Sequence, residues 1–216
     1  LLGVGTVGSG VLHVLEHNGG EIAKKAGCKI EIKKILVRNP QKAAELGKKY
    51  AVTGDFEEIV NDPDIDIVVE LIGREHPAKE YIASALEHGK NVVTANKDVL
   101  AKYGRELFPL AELHNVDFMF EGAVGGGIPI IRPLKSCLAA NRIKSVMGIV
   151  NGTTNYMLTK MSQDHMDYGE VLREAQEKGY AESDPTADVG GLDAARKLVI
   201  LASIAFNTRI SLDDVL

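Results

Sequence analysis

Cysteine is scarce in this chain: Cys28 and Cys137 are the only two, far apart, with no C-x-x-C pair and no third partner. That excludes a disulfide framework and a thiolate metal site, and a reducing cytoplasm is the expected compartment. Positive charge is not in excess either. With 25 Lys+Arg against 30 Asp+Glu the net charge is −5, which argues against a nucleic-acid partner. The longest strongly apolar stretch, 198–206, is well short of the ~18 residues a membrane span needs, so no membrane partner is expected. No basic-then-apolar leader opens the sequence. Tryptophan is absent, yet 45% of the 216 residues are hydrophobic and 25% charged. These are the proportions of a globular enzyme, not of a disordered, collagenous or coiled-coil chain, with length for one large or two small domains.

Both ends read as cut. Only Leu1 and Leu2 precede the first glycine, where a strand of about 5–6 residues is normal, and Ser211 to Asp214 resembles a capping box for a helix that does not follow. A fragment of a longer protein is expected.

Between those ends, apolar residues alternate between helical spacing and short runs rich in branched side chains. The pattern predicts a helix over 7–18, a strand over 30–37 and a helix from Asn39-Pro40 to about residue 50. A short helix over 56–60 follows, then a strand over 65–72 buried on both faces. Next come a helix from Pro77 to Gly89, a strand over 91–94, a helix over 98–114 broken at Pro109, and a strand over 116–120. Strands alternating with helices imply a parallel, doubly wound α/β sheet of Rossmann type. Past the glycine-rich turn near 125 the rhythm changes to a helix over 129–139, a strand over 143–150, and helices over 153–162, 168–178 and 191–206. The expected division is a nucleotide-binding domain at 1–125 and a second α/β domain at 126–216.

Gly3-Val-Gly5-Thr-Val-Gly8 has the G-x-G-x-x-G spacing between a strand remnant and a helix. There the first glycine permits a tight turn, the second lets backbone approach a pyrophosphate, and the third lets helix pack on strand. Where an NAD-specific site carries an acid after the second strand, this chain has Arg38, which suits a 2′-phosphate; a solvated loop arginine is the plainer alternative. NADP is expected, with NAD as the alternative. Lys97, in Thr94-Ala-Asn96-Lys97, falls at the carboxyl edge of the sheet, where it could meet a substrate or move a proton, or simply face solvent.

In the second half, Asn151-Gly-Thr153-Thr154 runs from a strand into a helix start, a place that either binds an anion or is merely capped by Asn151 or Thr153. Asp193 and Lys197, four apart, share one face of a helix whose only other clearly polar members are Arg196 and Ser203, with Glu182 and Asp188 just before it. Burying such charges costs several kcal/mol per ion unless something compensates, and a reactive site is one such reason. His13 and His17 are also four apart but lack a third ligand, so solvent-facing histidines are expected.

These residues together resemble the homoserine dehydrogenase family over essentially the whole chain. The resemblance rests on the Gly3 to Gly8 turn, Glu70-Leu-Ile-Gly73, Thr94-Ala-Asn-Lys97, Glu121-Gly-Ala-Val-Gly-Gly-Gly-Ile-Pro129 and Asn151-Gly-Thr-Thr-Asn-Tyr156. It rests most of all on the run from Gly179 through Glu182, Asp188 and Asp193 to Lys197. One departure is Arg74, where the family usually has a second glycine. The resemblance implies reversible hydride transfer between L-homoserine and L-aspartate 4-semialdehyde, on the route to threonine, methionine and isoleucine. It implies that Gly3, Gly5, Thr6, Val7 and Gly8, with Arg38, Gly73, Asn96 and Lys97, hold NADP. Lys197 would handle the alcohol proton and Asp193 would hold the hydroxyl and the lysine, with Lys97 a rival for that proton. Glu182, Asp188, Asn151, Gly152 and Thr153 would bind substrate. A monovalent cation such as sodium would sit on carbonyls of Glu121, Val124, Gly126 and Ile128, and the second domain would form a homodimer. Another semialdehyde or hydroxy-acid dehydrogenase, or a silent cofactor-binding fragment, are the competing expectations.

Overall fold

In the computed structural model, which describes all 216 residues, Leu2 is fully buried and bridges two strands in parallel, at Leu36 on one side and Glu70 on the other. Its N–H donates to Val69 O at 2.8 Å and its carbonyl accepts from Leu71 N at 2.9 Å. Around it run β1 (Ile35–Leu36), β2 (Val52–Thr53), β3 (Ile67–Glu70), β4 (Asn91–Thr94) and β5 (Phe118–Met119). All pairings are parallel: Ile35 faces Val52, Val68 faces Val92, and Val92 faces Phe118. The spatial order is therefore β2, β1, Leu2, β3, β4, β5, and the winding reverses at Leu2. In open sheets of this kind the reversal opens a crevice beyond the carboxyl ends of the two flanking strands, where ligands bind. The expected doubly wound parallel sheet is thus present.

Parallel neighbours require long crossovers, and helices supply them. They are α1 (Thr6–Ala26), α2 (Pro40–Leu46), α3 (Glu57–Val60), α4 (Ala78–Glu87) and α5 (Lys97–His114). The core behind the glycine turn joins Leu1, Val4, Leu12, Ile35 and Val37, with Val69 and Leu71 packed against them. Farther along the sheet Val68, Val92, Ile82, Leu86, Val99 and Leu107 are almost wholly buried. Each such side chain contributes about 1.5–3 kcal/mol. Phe108, Phe118 and Phe120 add a mutually tilted aromatic cluster.

Several expected elements differ. The strand predicted over 30–37 is confined to Ile35–Leu36, because ladder hydrogen bonds reach it only from residues 51–53 on one side and from Leu1 and Gly3 on the other. That over 65–72 shortens to β3, which buries Val68 and Glu70 but leaves Ile67 exposed, so it is not covered equally on both faces. Pro109 does not break α5: the helix runs through it, held by the burial of Leu107 and Ala111 on either side. That packing outweighs a penalty of roughly 3 kcal/mol for an interior proline.

The chain divides into two units, Leu1–Ala123 and Val124–Leu216. The second contains α6 (Gly152–Gln163), α7 (Tyr168–Glu177), α8 (Thr186–Val189) and α9 (Leu192–Ala205), with Met157, Val171, Ala175 and Ala181 at its core. The helix predicted over 129–139 is a shorter run over 131–137 whose last five residues, Pro133–Cys137, are π-helical. The strand expected over 143–150 does not form. A strand exists only as one line of a hydrogen-bonded ladder, and this unit has no strand to pair with it. Met147 and Ile149 are left 94% and 76% exposed. Ser211 and Asp214 do form a capping box, on the single turn Leu212–Asp214. No helix is long and apolar enough to cross a membrane.

Candidate functional site

The three glycines of the first turn have three separate reasons to be glycine. Gly3 has φ +88°, and a Cβ there would lie 3.0 Å from Leu71 O. A Cβ on Gly8 would lie 2.3 Å from Gly3 O, so only glycine lets α1 pack this close to the strand end. Gly5 is different: a Cβ would meet nothing within 4 Å, so no protein atom requires its absence. Gly5 also caps α1 with no side-chain hydrogen bond, which leaves the first-turn N–H groups of a 21-residue helix to an outside acceptor. Thr6 and Val7 are exposed there. An open glycine followed by uncapped N–H groups at the positive end of a helix dipole fits a pyrophosphate.

Flanking this turn are Arg38, exposed beyond β1, whose Nη2 donates to Tyr81 Oη at 2.8 Å, and Gly73 at φ +80°. Arg74, the departure from the family pattern, keeps its turn tied down: its carbonyl accepts from Asn96 Nδ2 at 2.9 Å. Beneath lies a wholly buried carboxylate, Glu70, at 0% exposure. Its Oε1 accepts from Ile72 N at 2.6 Å and its Oε2 from Thr94 Oγ1 at 2.7 Å. Thr94 Oγ1 in turn accepts from Asn96 N at 3.0 Å, and Asn96 Oδ1 caps α5 through Val99 N at 3.2 Å. The network stitches the loop after β3 to the loop after β4. Lys97, half-buried, is the first residue of α5 at that edge.

The second unit gathers a different set. Asn151 caps α6, its Oδ1 accepting from Thr154 N and Thr154 Oγ1, both at 2.8 Å. Its Nδ2 donates to Asp188 Oδ1 at 2.9 Å and to Asp193 Oδ2 at 2.8 Å. Lys197 Nζ donates to the same Asp193 Oδ2 at 2.7 Å and to Val150 O at 2.6 Å. Thr153 Oγ1 lies 2.7 Å from Tyr180 O and 3.1 Å from Asp188 Oδ2. The side chains of Asp193 and Lys197 retain only 10% and 19% of their exposure, so this i,i+4 pair is largely withdrawn from water. Thus Asn151, Thr153, Asp188, Asp193 and Lys197, distant in sequence, form one polar cluster, with Gly152 exposed at the first position of α6. Two of the three ammonium hydrogens of Lys197 are engaged, which fixes the amine without saturating it.

Glu182 is not joined to that cluster: it is exposed, with its backbone carbonyl accepting from Gln176 Nε2. Glu121 lies in the one-turn segment Glu121–Ala123. Val124 is buried, Gly125 and Gly126 have positive φ, and Ile128 N closes the turn on Gly125 O at 3.0 Å. His13 and His17 are exposed with rings 4.0 Å apart.

Roles for Glu70 and Tyr81 did not emerge from the sequence. Glu70 carried one signal, a charge inside an apolar strand; Tyr81 carried none.

The strand order, glycine turn and uncapped helix start define a dinucleotide-binding sheet of the class found in nicotinamide-dependent oxidoreductases. Family models agree: residues 3–121 match "Homoserine dehydrogenase, NAD binding domain" and residues 129–216 match "Homoserine dehydrogenase". The homoserine dehydrogenase of Bacillus subtilis is 48% identical across all of this chain and 50% of its own length, and that of Synechocystis is 50% identical across all of this chain and 49% of its own. A homoserine dehydrogenase crystal structure from Thiobacillus denitrificans superposes with TM-score 0.93 at 48% identity, over 98% of this chain and 49% of that one. A hyperthermophilic archaeal homoserine dehydrogenase in complex with NADPH superposes at 0.81 with 28% identity, over 100% of this chain and 73% of that one. The chain belongs to the homoserine dehydrogenase family. It spans about half the length of the curated relatives it matches.

Proposed function

We propose that this chain carries the cofactor-binding and proton-transfer machinery of a homoserine dehydrogenase, working reversibly between L-homoserine and L-aspartate 4-semialdehyde. The observation that carries the reading is the lysine withdrawn from water by Asp193 and the Val150 carbonyl, on a helix whose only other polar residues are Arg196 and Ser203. The nicotinamide, when bound, supplies or takes up the hydride. An alcohol carbon releases hydride only as its hydroxyl loses a proton, so a proton carrier must stand within hydrogen-bond reach of that oxygen. In the aldehyde-reducing direction, Lys197 donates a proton from Nζ to the forming alkoxide while Asp193 holds the amine in place. In the reverse direction the same amine, once neutral, accepts the hydroxyl proton. Asn151, bonded to both Asp188 and Asp193, keeps the carboxylates apart and oriented. Glu182 receives the substrate ammonium, with Asp188, Gly152 and Thr153 completing the amino-acid end. Lys97 contacts substrate or cofactor.

On the cofactor side, Gly3, Gly5, Thr6, Val7 and Gly8 hold the pyrophosphate, Gly73 and Asn96 shape the nicotinamide-side loops, and Arg38 recognises a 2′-phosphate, favouring NADP over NAD. The carbonyls of Glu121, Val124, Gly126 and Ile128 are hard oxygen donors of the kind a monovalent cation such as sodium takes. A homodimer through the second unit would cover the exposed Met147 and Ile149. The first unit is accordingly the nucleotide-binding domain and the second the substrate and dimer domain.

The test is an equilibrium titration with NADPH followed by a homoserine-dependent absorbance assay. Binding with turnover supports the proposal. Binding without turnover on homoserine or other hydroxy acids leaves a cofactor-binding module. Absence of both overturns the proposal.

A further inference from the structure

The geometry points to Tyr81 as the residue that positions Arg38 for a 2′-phosphate and so sets the preference between the two nicotinamide cofactors. This inference rests on the dinucleotide reading above and deepens it. Three elements converge at this corner. Arg38 follows β1, Phe56 precedes α3, and Tyr81 lies on α4. Phe56 is buried, and the Tyr81 ring stacks on it with centroids 4.1 Å apart and planes inclined by 16°. The stack fixes the phenol ring, and the ring fixes where its hydroxyl stands. That hydroxyl accepts from Arg38 Nη2 at 2.8 Å across 43 positions of sequence.

An exposed arginine otherwise samples many rotamers, and ordering it on a ligand costs conformational entropy. Tethering one N–H of Nη2 removes much of that freedom before the ligand arrives. Four of the five guanidinium N–H donors remain for a phosphate, enough for a bidentate contact. The arginine therefore provides the charge and the tyrosine its orientation. Asn39, the next residue, is bound to its own task as the cap of α2 through Lys42 N, so the backbone beside Arg38 is held as well. Because a ribose lacking the 2′-phosphate offers Arg38 no anion, the tether should affect only ligands phosphorylated at the 2′ position. Tyr81 is a positioning residue in this account.

The experiment is an equilibrium titration of the whole chain with 2′,5′-ADP and with 5′-ADP, repeated for Tyr81→Phe, Arg38→Gln and the double variant. Phenylalanine keeps the stack on Phe56, and retained 5′-ADP binding reports that the fold is intact. Tyr81→Phe should weaken 2′,5′-ADP about ten-fold while 5′-ADP stays within about two-fold. Arg38→Gln should abolish the preference, and adding Tyr81→Phe to it should change nothing further. A parallel loss of both ligands, no loss, or an additive double variant overturns the assignment of Tyr81. A wild-type chain that binds neither nucleotide overturns the dinucleotide reading, and this inference falls with it.

Discussion

The glycine turn of the first unit and the charged cluster of the second use side chains in opposite ways. Residues 3–8 do without them: Gly8 admits the strand end, Gly5 leaves open space, and the groups proposed to meet a ligand are backbone N–H. The cluster at 151, 188, 193 and 197 crowds them, so that both polar side-chain atoms of Asn151 are engaged and a lysine is held by a carboxylate and a carbonyl. A phosphate needs an electrostatic cradle and steric room, which backbone supplies. Proton transfer needs one titratable atom at a fixed place, which only a restrained side chain supplies. The contrast makes the two sites separable by mutation.

The largest expected combined effect on stability and turnover is at Asp193. Asp193→Ala leaves Lys197 largely buried without its counter-charge and Asn151 short of an acceptor, so stability should fall by about 3 kcal/mol and kcat by roughly 10²–10³-fold. Chemical denaturation and the homoserine-dependent assay measure these, while NADPH binding by the remaining folded protein should persist. Loss of NADPH binding at equal folded fraction would erase the separation.

Next come the glycines, which split stability from affinity. Gly8→Ala, with its Cβ 2.3 Å from Gly3 O, should lower the thermal midpoint, an overpacking cost of about 1–3 kcal/mol. Gly5→Ala meets no protein atom and should melt like the wild type, yet bind NADPH about ten-fold or more weakly. Equal melting and equal binding for Gly5→Ala would remove the ligand from that space. Arg38→Asp should act on cofactor choice alone, shifting the NADPH to NADH ratio of kcat/KM toward NADH by about ten-fold or more, since it replaces attraction with repulsion at the 2′-phosphate.

The smallest effect contrasts the withdrawn pair with a more accessible one. Glu174 is held below the usual carboxylate range by its ion pair with Lys178, then by the Tyr156 hydroxyl at 2.8 Å. A carboxylate depressed in the folded state adds stability above its ordinary pKa and loses it as pH falls through the lowered value. The thermal midpoints of wild type and Glu174→Gln should therefore differ slightly at neutral pH and converge as pH drops below about 4.5. A gap that widens in acid would contradict the sign.

What the sequence disclosed follows the same division. The glycine turn was legible because each glycine answers a local demand of spacing, and the 193/197 pair because two opposite charges four apart on a largely apolar helix are conspicuous. Pro109 and 143–150 were misread for complementary reasons. Packing by Leu107 and Ala111 carried α5 through a residue that locally ends helices, and branched residues suited to a ladder found no neighbour. Glu70 and Tyr81 stayed hidden because their partners, Thr94 and Arg38, stand 24 and 43 positions away. Such contacts are set by the sheet order, which no short window contains.

The most direct test of the proton carrier compares Lys197→Ala with Lys97→Ala in homoserine-dependent turnover at saturating NADP, with NADPH affinity measured alongside. Loss of kcat by about 10³-fold in Lys197→Ala with near-normal NADPH binding, and a smaller loss in Lys97→Ala, is the predicted result. Lys197→Ala turning over within about ten-fold of wild type would contradict it.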